Sequence, residues 1–212
     1  MIFARKENNM SKILFATSNP SKLRRFDVYL NDSNVELVGL KDLGITDKAE
    51  ETGKTALENA RIKAKFYYEK TGMLTMAMDD NLFIEGISAE EQPGTHVRRV
   101  NGKELSDDEM IEYYSNLAHK YGGKLNAKWV YGLVIYDGKE MKEISWDKGD
   151  FYMVDKVAAK RNPGYPLNSV SIYPEFNKYF VDMTPEENEQ NKRNQDESKV
   201  ANFIKSVVNE EN

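Results

Sequence analysis

The sequence predicts an α/β fold with a mixed sheet and a second lobe built on a late hairpin. Three observations carry that expectation. An apolar run, Ile13 to Ala16, ends in a short polar turn and an amphipathic segment follows. Strands and helices then alternate up to Met78. Late in the chain, Asp137-Gly138 separates two strand-like runs, a dipeptide suited to a hairpin turn.

Each element has its own signal. Residues 12–17 read as the first strand and 20–31 as the first helix, with Asn19 as N-cap, Pro20 at the first helical position and Leu23, Phe26 and Leu30 on one face. Val35 to Leu40 alternates as a second strand. Thr55 and Glu58 form a capping box, Leu57, Ala60, Ala64 and Tyr67 recur at helical spacing, and Gly72 ends that helix. Met73 to Met78 is a short apolar strand with Asp79-Asp80 at its C-terminal edge. Residues 81–105 read as strand remnants and loop around a Pro93-Gly94 turn. Ser106 and Glu109 cap a helix bearing Met110, Ile111, Tyr114, Leu117 and Tyr121. Trp129 to Tyr136 and the return run through Met141, Ile144 and Trp146 form the hairpin. Residues 155–166 read as loop, Ser169 to Tyr173 as strand, 184–197 as a polar tail, and Asp196 to Val208 as a closing helix. Residues 1–10 read as an N-terminal extension before one domain spanning 11–212, because Met10 begins a more conventional opening.

Composition narrows the function classes. The 212 residues contain no cysteine and two histidines, so thiolate metal sites are excluded and a multi-histidine zinc site is not expected. The net charge of −5 gives no basic footprint for duplex nucleic acid. No apolar run is long enough to span a bilayer, and residues 1–9 lack the apolar core of a signal peptide. The expectation is a soluble cytoplasmic protein without nucleic-acid or membrane partners.

Two stretches could carry chemistry. Backbone N–H groups at a helix start attract anions, and Thr17, Ser18, Ser21 and Lys22 add donors and charge beside that of the first helix. The turn is a candidate phosphate cradle without a Walker sequence; it would serve equally as an ordinary capped βα connection. Glu51, Asp79 and Asp80 are candidate ligands for a hard cation such as Mg2+, which takes carboxylates together with phosphate oxygens. Asp79-Asp-Asn81 would equally be a turn that ends a strand. Lys63 and Asn59 are four residues apart and share a helix face, from which a lysine can reach a phosphate or solvent. Arg98, Arg99, Lys192 and Arg193 admit the same two roles, and His96 has no nucleophile partner.

In order along the chain, these pieces resemble the inosine triphosphate pyrophosphatase family, which clears non-canonical purine nucleotides. The matching segments are Ala16-Thr-Ser-Asn-Pro-Ser-Lys22, Glu51-Thr-Gly-Lys-Thr-Ala-Leu-Glu-Asn-Ala-Arg-Ile-Lys-Ala64, Asp79-Asp80, and Pro93-Gly94 with Arg99. The resemblance covers residues 11–102 well, and the second segment is its most specific part. It implies an elongated two-lobed α/β fold with a long mixed β-sheet, helices packed around it and a central cleft. It also implies a homodimer and Mg2+-dependent hydrolysis of a nucleoside triphosphate, such as ITP, dITP or XTP, to the monophosphate and pyrophosphate. Carried onto this chain, Thr17, Ser18, Asn19, Lys22 and Lys63 would contact the substrate, with Asn81 a further contact. Glu51 and Asp80 would hold the metal, and Asp80 would activate water.

The chain departs from the family pattern in its C-terminal half. Asp79-Asp-Asn-Leu-Phe83 replaces D-D-S-G-L. Gly164-Tyr-Pro-Leu-Asn-Ser-Val-Ser171 stands for the segment that holds the base, with Leu167 in place of the stacking aromatic and Asn168 in place of the acid. The basic K-N-x-x-S-H-R stretch has only Asn188 and Lys192-Arg193 near it. The phosphate half of the site is therefore expected intact and the base preference altered. The competing expectation is a divergent nucleotide-binding protein with little or no hydrolytic activity.

Overall fold

Strand β1 (Ser11–Phe15) lies between β2 (Val35–Gly39) and β3 (Thr75–Ile84), parallel to both. The computed structural model describes residues 11–17, 20–30, 34–194 and 198–210. The expected extension 1–10 therefore falls outside the described residues. Beyond β3 the sheet turns antiparallel. It adds β6 (Lys124–Tyr136) and β7 (Met141–Val154), then β8 (Ser171–Tyr173) and β9 (Lys178–Tyr179), giving the order β2-β1-β3-β6-β7-β8-β9. A separate ribbon pairs β4 (Arg99–Val100) with β5 (Lys103–Glu104). The mixed α/β architecture is thus as the sequence predicts, including the late hairpin, whose strands extend beyond the expected Trp129 and Trp146 to Lys124 and Val154.

Strand alternation builds two cores at the parallel end of the sheet. Ile13, Phe15, Met76, Met78, Leu133 and Ile135 point to one face. There they meet Phe26 and Leu30 of α1 (Pro20–Leu30) and Val200, Ile204 and Val207 of α5 (Ser198–Glu210). Leu14, Ala77 and Val134 point to the other face, against Ala60, Ala64 and Tyr67 of α2 (Ala56–Thr71). Both faces are covered, which explains why these strands read as unbroken apolar runs. A third core sits at the far end of the same long strands. There Leu82, Ile84, Leu125, Phe151 and Met153 pack against Met110, Ile111, Tyr114 and Leu117 of α3 (Asp107–Lys120).

Local signals set the helix ends where expected. Thr55 accepts the Glu58 N–H at the start of α2, and Gly72 takes a left-handed φ of 65° at its end. Ser106 and Glu109 make the reciprocal capping box on α3. Two expectations are corrected. The polar tail contains helix α4 (Pro185–Asn194). Thr184 accepts the Glu187 N–H at 3.2 Å while Glu187 accepts the Thr184 N–H at 2.8 Å, so a capping box with Pro185 at the first position nucleates a helix lacking an apolar face. The strand expected to stop at Met78 runs on to Ile84, because β3 pairs continuously with β6 from Thr75 opposite Tyr136 to Ile84 opposite Ala127. Asp79 and Asp80 are therefore mid-strand residues. No helix among the described residues is long and apolar enough to cross a membrane.

Candidate active site

The site forms where the sheet changes direction of connection. From β1 the chain passes to β2 on one side, and β3 flanks β1 on the other, so the loops after the strand ends diverge and leave a crevice. Between β1 and β3 only Leu14 opposite Thr75 and Phe15 opposite Met76 are paired. The β3 edge is next engaged at Leu82, by a bridge to Gly94. Asp79 and Asp80 occupy the stretch of that edge between, where no strand of the described residues pairs with them on the side away from β6.

Because neighbouring residues of a strand face opposite ways, the two aspartates do different things. Asp79 follows Ala77 toward α2. Its Oδ1 accepts from Lys63 Nζ at 2.9 Å and its Oδ2 from Asn59 Nδ2 at 3.0 Å. Asp80 follows Met76 and Met78 toward α1, where Lys22 Nζ donates to its Oδ1. Lys63 also reaches Glu51 Oε1, 3.5 Å away. Two helices thus bring one lysine each to carboxylates on the loop 51–55 and on β3. Lys63 and Asp79 are each only 9% exposed, so their pairing neutralises charge that burial would otherwise make costly.

The start of α2 is seated on the sheet by glycine. Gly132 lies opposite Asp79 on β6, and a Cβ there would come within 2.5 Å of the Leu57 backbone nitrogen. Only a residue without a side chain lets the helix terminus approach the strand so closely. The Ala56 N–H in that first turn donates to Asn81 Oδ1 at 3.3 Å. The Tyr67 hydroxyl donates to the Asp47 carbonyl at 2.9 Å, tying the loop before Glu51 to α2. Burial pushes the Tyr67 phenol above its ordinary range, with the nearby Glu51 and Asp47 charges acting the same way, so it remains a hydroxyl donor.

The result is a cleft of about 560 Å³ lined by Thr17, Lys22, Glu51, Lys63 and Asp79, with Lys41 and Lys48 on its rim. Of the residues expected from sequence, Thr17, Lys22, Glu51 and Lys63 line the cleft, whereas Asp80 is tied to it through Lys22 and is not itself among the lining residues. Ser18 and Asn19 lie outside the described residues. Asn81 is held by the start of α2 and is not among the cleft-lining residues. The sequence reading gave no role to Asn59, Gly53 or Gly132. The available signals were a polar residue on a mostly apolar helix face and a glycine inside a strand.

Among the described residues, no three acidic or histidine side chains form a cluster that could hold a metal by themselves. Glu51, Asp79 and Asp80 each offer carboxylate oxygens beside a lysine, one or two at a time, because Asp79 and Asp80 face opposite sides of β3. This suits Mg2+, which usually takes one or two carboxylates and completes its shell with substrate phosphates and water.

The C-terminal segments are engaged differently from the residues of the cleft. Leu167, in the turn Pro166–Ser169, packs against the α3 core. The neighbouring Tyr165 is 59% exposed. The Asn188 amide donates to the Met183 and Thr184 carbonyls beside its own helix. The side chains of Lys192 and Arg193 lie outside the described residues. Arg98 binds the Leu105 carbonyl and Asp107, joining the β4–β5 ribbon to α3.

Comparison with known proteins bears on this arrangement. A model of the Ham1 family matches residues 13–199. A Haemophilus influenzae protein named dITP/XTP pyrophosphatase is 29% identical over 198 residues, covering 93% of this chain and 98% of that protein. One of the same name from Thermoanaerobacter pseudethanolicus is 28% identical over 176 residues, 83% of this chain and 87% of that protein. The structure of a HAM1 protein from Coxiella burnetii aligns with a TM-score of 0.70 at 24% identity, over 95% of this chain and all of that one. The Staphylococcus aureus Ham1 protein aligns with a TM-score of 0.69 at 23% identity and the same coverage. These two structures share the fold.

Proposed function

The chain belongs to the Ham1 family, and on that premise we propose that it is a Mg2+-dependent pyrophosphatase of non-canonical purine nucleoside triphosphates, ITP, dITP or XTP among them. The observation that carries the proposal is the pair of lysines, Lys22 and Lys63, converging from separate helices on carboxylates at one crevice. Cleaving the bond between the α- and β-phosphates asks for positive groups along the chain of phosphates and for an acceptor of the water proton.

Lys22 and Lys63 bind phosphate oxygens, exchanging a carboxylate partner for the substrate. Thr17 lies at the mouth of the anion-attracting α1 terminus. Asp80 orients the attacking water and takes its proton. Lys22 holds Asp80 Oδ1 before substrate arrives, and the move of Lys22 to phosphate frees the carboxylate for that role. The water oxygen bonds to phosphorus, the α–β bridging bond breaks, and pyrophosphate leaves with the bridging oxygen. Glu51 and Asp80 would hold Mg2+, which when bound offsets phosphate charge.

The test is a panel of ITP, dITP, XTP and the standard nucleotides, scored for pyrophosphate and monophosphate with Mg2+ and with chelator. No turnover of any of them with Mg2+ rejects the proposal. Asp80→Asn is expected to abolish turnover with the fold retained, as judged by circular dichroism; an undiminished rate removes Asp80 from its role. The proposed base preference is altered, because Leu167 and Asn188 are engaged within the protein itself. The same two residues favour a second reading, a protein that holds a nucleotide without hydrolysing it. Tight nucleotide binding without product would select that reading. The proposed assembly is a homodimer, and a monomer in sedimentation at micromolar concentration rejects it.

A further inference from the structure

We propose that Asn59 is a positioning residue of this site, its buried amide spanning the Glu51 loop and Asp79 and so setting the carboxylate that aims Lys63 into the cleft. The inference rests on the hydrolytic reading above and adds a residue to it.

Asn59 is fully buried on the helix face that also carries Ala56, Ala60, Lys63, Ala64 and Tyr67, with Ala56 and Ala60 beside it. An apolar residue would fill such a position if packing were its only duty. Instead both ends of the amide are used. Oδ1 accepts the Gly53 N–H at 2.8 Å, and Nδ2 donates to Asp79 Oδ2 at 3.0 Å. The other oxygen of Asp79 accepts from Lys63 at 2.9 Å, and Lys63 reaches Glu51, two residues before Gly53. The contacts close a ring through Gly53, Asn59, Asp79, Lys63 and Glu51. Asn59 supplies the one neutral link in it that both donates and accepts. Aspartate has the length but no donor when ionised, leucine has neither group, and glutamine is one methylene longer. Gly53 lies close against the same link and the helix start, since a Cβ there would meet Asn59 Oδ1 at 2.6 Å, Glu58 Cβ at 2.7 Å and the Asn59 backbone nitrogen at 2.8 Å. With the ring intact, Asp79 cannot rotate away, and Lys63 is held at the cleft wall before substrate arrives.

The test compares Asn59→Asp and Gly53→Ala with the parent protein. Asn59→Asp keeps the acceptor toward Gly53 and turns a carboxylate oxygen toward Asp79. The charged groups around it are Asp79 on β3, Lys63 on the same helix and Glu51 on the preceding loop. Two carboxylates this close repel, and the variant offers Asp79 no donor. Misplacement of a binding group by about 1 Å costs on the order of 100-fold in rate. Relative kcat/KM of Asn59→Asp is thus expected to fall about 10- to 100-fold, carried by KM more than by kcat because Lys63 binds phosphate. A ratio within twofold of the parent, or a loss carried by kcat alone, overturns the proposal. Gly53→Ala presses on the amide and on the first turn of α2 without adding charge, and covers the case in which Asn59→Asp does not fold. Its affinity for inorganic pyrophosphate with Mg2+, read by calorimetry, is expected to fall at least about fivefold. Unchanged affinity overturns the proposal. A parent that neither hydrolyses nucleotides nor binds pyrophosphate overturns the hydrolytic reading and this one together. A parent that does both, beside unaffected variants, overturns only the role of Asn59.

Discussion

Lys63→Met separates the structural duty of the buried ion pair from its chemical one. Lys63 and Asp79 are each 9% exposed and meet at 2.9 Å. Methionine fills much of the lysine stem's volume but leaves Asp79 charged, with only the Asn59 amide as partner. Removing one member of a buried pair typically costs about 3–5 kcal/mol. The pair borders the cleft and water can reach its edge, so the lower figure, about 3 kcal/mol, is expected. For a chain of this size each kcal/mol lowers Tm by roughly 2–4 °C, giving a fall of roughly 6–12 °C. The double variant Lys63→Met with Asp79→Asn removes the uncompensated charge and keeps an acceptor for Asn59. It should regain most of the lost stability while remaining inactive. Urea denaturation of the parent, both single variants and the double variant supplies the cycle. A Lys63→Met protein within about 1 kcal/mol of the parent would refute the reasoning, because Asp79 would then be solvated rather than held. A double variant no more stable than Lys63→Met would refute it too.

Two further outcomes follow from single contacts. Gly132→Ala drives a Cβ into the backbone of Leu57, which cannot swing aside as a side chain would, so a loss near the top of the usual overpacking range, about 3 kcal/mol, is expected in a urea melt. The lysine ammonium of Lys103, with the Ser106 N–H and hydroxyl, holds the Glu109 carboxyl down to about 2. A depressed carboxyl stabilises the fold above its ordinary value of 4.5 and loses that contribution as pH falls toward about 2. The stability gap between the parent and Glu109→Gln should therefore be full at neutral pH and close between pH 4.5 and 2 in pH-dependent melts. A gap that widens on acidification would contradict the capping box.

The elements most legible in the sequence were those marked by contacts between residues close along the chain. Thr55 with Glu58, Ser106 with Glu109 and the closing Gly72 all act within one turn. The one helix missed, α4, carried the same kind of mark in Thr184, Pro185 and Glu187, obscured by the lack of an apolar stripe. The lysines and acids of the phosphate side were legible as residue types at motif spacing. Their partners were not: Lys22 finds Asp80 across 58 positions and Asn59 finds Asp79 across 20.

By itself, then, the sequence determined the helix caps, the apolar faces and the family pattern, because each is written in neighbouring residues. Only the tertiary structure decided how the aspartates divide their work. Pairing with β6 extends β3 past Met78, and once Asp79 and Asp80 lie within a strand its pleat must turn one toward α2 and the other toward α1. That consequence depends on hydrogen bonds made by a strand some fifty residues further on, which no local reading of Asp79-Asp80 contains.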